Sequence, residues 1–126
     1  MFVQFTIPRG TVELGQVIDV CVARCVEKWG GCTVTDGIGY WQKPESLSAV
    51  PCVEPVAILG VECEPWYGRL TSHAGRESHL CVVREWFDNL AVYVRVKGDQ
   101  HTVYYRMFEG GEARFVGPNT IVGGAG

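Results

Sequence analysis

The chain has 126 residues, of which 47% are hydrophobic and 20% are charged, and its formal net charge is −3. This length suits one domain with a core of its own. The basic residues are scattered, which argues against binding of duplex nucleic acid, and no apolar run is long enough to cross a membrane. The apolar surplus predicts a homo-oligomer, with a monomer of unusually apolar interior as the alternative.

The chain begins with a predicted strand and a predicted helix. Apolar residues alternate with polar ones between positions 3 and 7, which predicts a strand that ends at Pro8. Residues 11–29 predict a helix with Thr11 as its N-cap. Its apolar stripe follows helical spacing and comprises Leu14, Ile18, Cys21, Cys25 and Trp29. The two glycines that follow end this helix.

Extended segments and a second helix fill the rest of the chain. Strands are predicted at residues 33–41, 55–63, 91–96, 101–108 and 113–116. A helix is predicted at residues 71–89, with an apolar stripe of Leu80, Val83, Phe87 and Leu90. Residues 55–63 are apolar on both faces, which is typical of a central strand covered on both sides.

This order of elements predicts an α+β fold. We expect a ferredoxin-like β-α-β-β-α-β sheet with both helices on one face and a C-terminal β-hairpin extension. The domain division that follows is a ferredoxin-like domain at residues 1–108 and a short strand with a glycine-rich tail at residues 109–126. Because strand residues are apolar on both faces, the second sheet face is expected to be covered by another subunit.

The segment GGCTVTDGIGYW contains a first candidate binding site. Its glycines follow a helix, whereas a phosphate-binding loop precedes one, so a phosphate loop is excluded. Gly37 and Gly39 instead leave gaps on one strand face, beside Thr35, Trp41 and the neighbouring Asp36. Such gaps accommodate either a packed element or a flat ligand, and packing is the more common use of strand glycines.

A second candidate site lies at the start of the second helix. Aromatic and basic side chains cluster there, namely Trp66, Tyr67, Arg69, His73 and Arg76. Aromatic rings with two arginines beside a helix N-terminus suit an anionic, planar ligand such as a nucleotide. The alternative is a set of solvated arginines and packing aromatics.

Cysteine and histidine spacing predicts neither a metal site nor a cofactor. The start of the chain lacks the features of a signal peptide, so the six cysteines are interpreted as reduced thiols of a cytoplasmic protein. No C-x₂-C pair or H-E-x-x-H motif occurs. His79 and Cys81 are two residues apart on a predicted helix and therefore point to different sides, so no catalytic residue is assigned.

The pattern G-x-T-V-x-D-G-x-G-x-W resembles a strand motif of small uncharacterised bacterial and phage proteins with a ferredoxin-like core. The matching residues are Gly31, Thr33, Val34, Asp36, Gly37, Gly39 and Trp41, followed by Glu54 to Val56, Trp86, Phe87 and Ala91 to Val94. The resemblance implies a fold but no transferable activity. The phage association suggests accessory roles such as sequestering small signalling molecules or blocking host proteins.

Three functions follow as hypotheses. The first is a non-enzymatic, oligomeric binding protein for a small anionic, nucleotide-like ligand, because no catalytic motif is present. The second is a protein–protein interaction module that uses the sheet face or an edge strand. The third is a dimeric α+β-barrel enzyme, in which His101, Tyr104 or Asp36 would supply the polar group of an enclosed cleft.

Overall fold

The computed structural model describes residues 1–10, 12–41, 52–63, 73–98 and 103–117. Within these ranges the chain forms five strands and two helices. In chain order they are β1 (Phe2–Pro8), α1 (Val12–Trp29), β2 (Thr33–Trp41), β3 (Cys52–Glu62), α2 (His73–Gly98), β4 (Tyr104–Glu109) and β5 (Glu112–Gly117). Neither helix is long and apolar enough, over its described residues, to cross a membrane.

The five strands form a single antiparallel sheet in the order β2-β3-β1-β4-β5. The first strand lies at its centre, where Phe5 is opposite Leu59 of β3 on one side and Tyr105 of β4 on the other. Strands β2 and β5 are the two edges. The turn between β4 and β5 contains Gly110 and Gly111, which both have positive φ angles that favour glycine.

The predicted ferredoxin-like β-α-β-β-α-β sheet with a C-terminal hairpin extension is wrong. The observed order is β-α-β-β-α-β-β, and all five strands belong to one sheet. The segment 91–96, predicted as a strand, lies within α2 and forms no hairpin with the strand that follows. Strand β4 instead pairs with β1, and β5 pairs with β4 at the sheet edge. The domain boundary predicted at residue 108 falls inside β4.

Helix α2 includes residues 91–96 because their burial follows helical spacing. Ala91 and Val94 are fully buried, whereas Val92 and Val96 are 54% and 74% exposed. In a strand, Val92, Val94 and Val96 would share one face, because side chains at alternate positions point to the same side. Valine has a weak helix propensity, but packing of this stripe into the core outweighs it.

One face of the sheet, which we call the helix-side face, contains the core. Its buried residues share a face by register and comprise Val3, Phe5, Ile7, Ala57, Leu59, Val61, Tyr105 and Met107. Both helices contribute to the same core, and the Phe87 ring lies 5.9 Å from Phe5 and 5.6 Å from Tyr105. Each large side chain buried here stabilises the fold by about 2 kcal/mol.

The opposite face of the sheet, which we call the open face, is mixed in character. Its polar residues include Gln4, Thr33, Thr35, Glu62 and Arg106, which alternate with the core positions. Phe2 and Phe108 pack 6.5 Å apart on this face, and the absence of a side chain at Gly60 makes room for the Phe2 ring. The same face also contains the buried side chains of Thr6 and Val56, so it combines polar and apolar positions.

The end of α1 sets the start of β2. Gly30 has a φ of 91° and donates its N–H to the carbonyl oxygen of Val26 at 2.9 Å, which ends the helix. Before it, the Trp29 ring stacks on Phe87 at 6.4 Å. Strand β2 then runs over Thr33–Trp41, and the prediction for this strand is confirmed. The predicted N-cap Thr11 lies outside the described residues.

Candidate functional site

The glycine gap predicted on β2 lies on the open face. Thr35, Gly37 and Gly39 share that face by register with β3. At Gly37, however, a Cβ atom would lie only 3.2 Å from Ile58 and 3.4 Å from Val56, so these side chains already take up the space. This geometry favours the packing alternative at Gly37 over a ligand.

The remaining residues of the first candidate site are separated from this gap. Asp36 points to the helix-side face, where its carboxylate lies 3.0 Å from the guanidinium of Arg9. The side chains of both residues are exposed, at 82% and 40%, so this ion pair contributes little to stability. Trp41 ends β2, and its side chain lies outside the described part of the chain.

Most residues of the second candidate site lie outside the described part of the chain. Trp66, Tyr67 and Arg69 lie outside the described residues, and so does the side chain of His73, the first residue of α2. Arg76 is exposed near the beginning of that helix. The predicted aromatic and arginine cluster therefore stays a prediction.

The polar groups proposed for an enzyme cleft are likewise not brought together. His101 lies outside the described residues, and Tyr104 is half-buried on the open face. Asp36 faces the other side of the sheet. Among the described residues, Tyr104 and Asp36 therefore share no cleft.

Four of the cysteines lie close together around Cys25 of α1. Cys21, Cys25 and Cys63 are fully buried, and the Cys25 thiol is hydrogen-bonded to that of the half-buried Cys32. Burial raises the pKa of Cys21 to about 12, and it also raises the pKa values of Cys25 and Cys32. These thiols are protonated at neutral pH and are poor nucleophiles. No three His, Cys, Asp or Glu side chains in the described ranges are arranged to hold a metal ion.

His79 is a structural residue in this arrangement. Its Nε2 atom hydrogen-bonds the carbonyl oxygen of Cys63 at 2.5 Å, and its ring meets the edge of Trp29 at 6.4 Å. Cys81 is exposed on α2. The histidine thus links α2 to the end of β3.

An exposed apolar surface on the β2–β3 hairpin was not predicted as a site. Four large apolar side chains lie on the helix-side face beyond the helices, and we call them the edge patch: Val34, Ile38, Tyr40 and Val53. Their exposed fractions are 39%, 61%, 64% and 58%. The alternation of β2 predicts that Val34, Ile38 and Tyr40 share one face. It does not predict how much of that face the helices cover. Of the β2 side chains that the structure describes, none belongs to the hydrophobic core.

Comparison with known proteins adds no assignment. No family model, curated protein or solved structure matches the chain. The resemblance to small bacterial and phage proteins therefore stays a prediction.

A cavity of about 470 Å³ opens at one end of the open face. It is lined in part by Phe2, Gln4, Glu62 and Phe108, and the β4–β5 turn closes one side. Met1 also lines the cavity, and its N-terminal ammonium lies 3.0 Å from the carboxylate of Glu62, so the two charges offset each other. The cavity therefore gives no support to the nucleotide-like ligand expected from the sequence.

Proposed function

We propose that the protein is a non-enzymatic interaction module that binds a second copy of itself through the β2 edge. The observation that supports this proposal is the edge patch, where Ile38, Tyr40 and Val53 are each more than half exposed on one hairpin. Single exposed apolar residues are ordinary, but adjoining ones at a sheet edge are typical of an interaction surface.

The two edges of the sheet differ in how they are protected. Strand β5 has charged residues, and Arg114 forms ion pairs with Glu77 at 2.8 Å and Glu109 at 3.8 Å. A register shift between Met107 and Phe108 also distorts its pairing with β4. Charges and bulges are the usual means by which edge strands avoid pairing with other chains.

Strand β2 lacks these protective features. It has no lysine and no proline, and its single charged residue, Asp36, is paired with Arg9 at 3.0 Å. Among the described strands none pairs with the outer edge of β2, so the N–H and C=O groups on that edge can pair with a strand of another chain. Together with the edge patch, this supports pairing of β2 with a strand of a partner.

A second copy of the chain fits this edge. An antiparallel pairing of two β2 strands centred on Gly37 would place Val34 beside Tyr40 of the partner subunit. Asp36 would then face Ile38 of the partner subunit, so the two like charges would not be directly opposite. Such a two-fold arrangement is the most common form of homo-oligomer.

The proposal also includes a cellular compartment and a role without nucleophilic catalysis. Five cysteines of the described residues are free thiols, which supports a reducing compartment such as the cytoplasm. The raised pKa values of the buried thiols support a role without nucleophilic catalysis. The nucleotide-like ligand predicted at Thr35 to Trp41 and Trp66 to Arg76 stays a prediction.

Measurement of mass in solution tests the proposal. The purified chain should sediment as a dimer at about 100 μM and dissociate on dilution. Ile38→Lys should give a monomer, because it places a charge in the edge patch. Val96→Lys is the matched control, since Val96 is 74% exposed on α2 away from the hairpin, and it should stay dimeric. A wild-type chain that is monomeric throughout this range would contradict the proposal.

A further inference from the structure

The layer of helices contains a groove that the edge patch does not use. It has a volume of about 320 Å³ and is lined by Arg24, Glu27 and Lys28 of α1 and by Trp86 of α2. The three α1 residues are three and four positions apart, so they project from one face of that helix. The groove therefore places two cations on one wall and an indole ring on the other.

The indole on the second wall is held in place by its neighbours. Trp86 is half-buried, and its ring makes edge contacts with Trp29 at 5.7 Å and with Phe87 at 4.9 Å. Because Phe87 belongs to the core, the orientation of the Trp86 ring is fixed by packing. A planar ligand could stack on the part of this ring that remains accessible.

Both cations rest against aromatic rings rather than against carboxylates. The guanidinium of Arg24 lies 4.2 Å from the centre of the Tyr93 ring, and the ammonium of Lys28 lies 5.5 Å from that of Trp29. Within the described ranges neither cation forms an ion pair. Aromatic faces hold the two groups in position but leave their hydrogen-bond donors able to bind an anion.

We propose that this groove binds a nucleoside monophosphate. The base stacks on Trp86, and the phosphate accepts hydrogen bonds from Arg24 and Lys28. Glu27 lies among these residues and accepts a hydrogen bond from a sugar hydroxyl. With one carboxylate beside two cations, the groove has a net charge that suits a single phosphate better than a triphosphate.

The size of the groove agrees with this class of ligand. Small-molecule sites range from about 300 to about 1,000 Å³, so this volume lies near the lower limit of that range and suits a mononucleotide. The groove shares no residue with the edge patch. Ligand binding in the groove is therefore independent of self-association through β2.

Calorimetric titration of the full chain tests the proposal. The ligands are the monophosphates of adenosine, guanosine, cytidine and uridine, with inorganic phosphate and adenosine as separate arms. At least one monophosphate should bind, and phosphate or adenosine alone should bind more weakly by about tenfold or more, because each makes only part of the contacts.

Two variants and two controls locate the site. Arg24→Gln and Lys28→Gln should each weaken binding of the monophosphate by about tenfold or more, because each removes a charge-assisted hydrogen bond. Arg106→Gln on the open face and Lys97→Gln at the end of α2 remove exposed cations elsewhere and should leave the Kd unchanged. Arg24 and Lys28 are both exposed, so both site variants should keep the fold, and the thermal unfolding midpoint of each variant checks this.

Three results would overturn the assignment. One is the absence of binding by all four monophosphates at about 5 mM ligand. Another is an equal loss of affinity in the Arg106 and Lys97 variants, which would indicate attraction by overall charge. The third is equal affinity for inorganic phosphate and for the monophosphates, which would leave Trp86 without a role.

Discussion

The hydroxyl of Tyr105 on β4 donates a hydrogen bond to Oδ1 of Asp88 on α2 at 2.6 Å. The same hydroxyl lies 3.2 Å from the carbonyl oxygen of Arg84, one turn earlier in that helix. The ring of Tyr105 is fully buried and stacks on Phe5 at 6.3 Å. A single side chain thus joins the central strands to the longer helix by apolar contact and by a polar bond.

Removal of this hydroxyl should destabilise the fold. We expect Tyr105→Phe to lower the free energy of unfolding by about 2 kcal/mol, because a hydrogen bond to a carboxylate is lost in a buried setting. Urea unfolding followed by circular dichroism measures the change. Tyr104→Phe is the control, since Tyr104 faces the opposite side of the sheet, and it should change stability by less than about 0.5 kcal/mol. Equal effects of the two variants would contradict the assigned bond.

Stability should fall at alkaline pH because buried groups resist ionisation. Burial raises the pKa of Cys21 from 9.0 to about 12, and burial followed by the bond to Asp88 raises the pKa of Tyr105 above 10.0. In the unfolded chain these groups ionise at the lower values. Their contribution is therefore complete below about pH 9 and is lost as pH rises through the interval up to the folded pKa values.

The slope of stability against pH checks this expectation. Each such group should lower the free energy of unfolding by up to about 1.4 kcal/mol per pH unit above its unfolded pKa. Cys21→Ala and Tyr105→Phe should each make the slope between about pH 9 and about pH 11 shallower. Val96→Ala replaces an exposed side chain that does not titrate, and it should leave the slope as it is. Parallel curves for all three variants would exclude the buried groups as its cause.

Truncation of valines in α2 distinguishes a helix from the predicted strand. Val94→Ala should cost about 2 kcal/mol, because Val94 is fully buried, whereas Val92→Ala should be close to neutral, because Val92 is 54% exposed and alanine favours helix. In a strand these two residues would share a face and respond alike. Chemical unfolding of both variants gives the comparison, and similar losses would argue against the helix.

The glycines after α1 should respond differently to substitution. Gly30→Ala should cost about 1 kcal/mol, because its φ of 91° is unfavourable for a residue with a side chain. Gly31→Ala is the matched control: an added Cβ atom meets nothing within 4 Å, and the backbone there has no positive φ. Thermal unfolding midpoints should fall for the first variant and stay constant for the second. A reversed order would show that the helix ends elsewhere.

The sequence predicts the first half of the fold better than the second. Strand β2 is predicted correctly because its residues alternate and Gly30 and Gly31 separate it from α1, and the stripe of α1 identifies the buried face of that helix. For residues 91–96 the sequence is ambiguous. Val92, Val94 and Val96 alternate as in a strand, yet Val94 also continues the stripe that begins at Leu80. Packing of that stripe into the core favours the helix over the strand. Such packing depends on distant parts of the chain and cannot be inferred from a short stretch of sequence.

Neither surface used in the proposals could be predicted from the sequence alone. The exposure of Ile38 and Tyr40 depends on how far the helices extend across the sheet, which alternation in β2 does not indicate. The groove depends on the rotation of two helices about their axes, which brings Arg24 opposite Trp86 although they are far apart in the chain. Such relationships arise only from the tertiary arrangement.

The pairing of Phe2 with Phe108 has a consequence for synthesis of the chain on the ribosome. The strand that occupies the middle of the sheet emerges early, but one of its two neighbours is translated about a hundred residues later. Until then one edge of this strand lacks its neighbour β4, and an unpaired apolar edge of this kind is prone to aggregation. The final fold is thus reached only once Tyr104–Glu109 has left the exit tunnel.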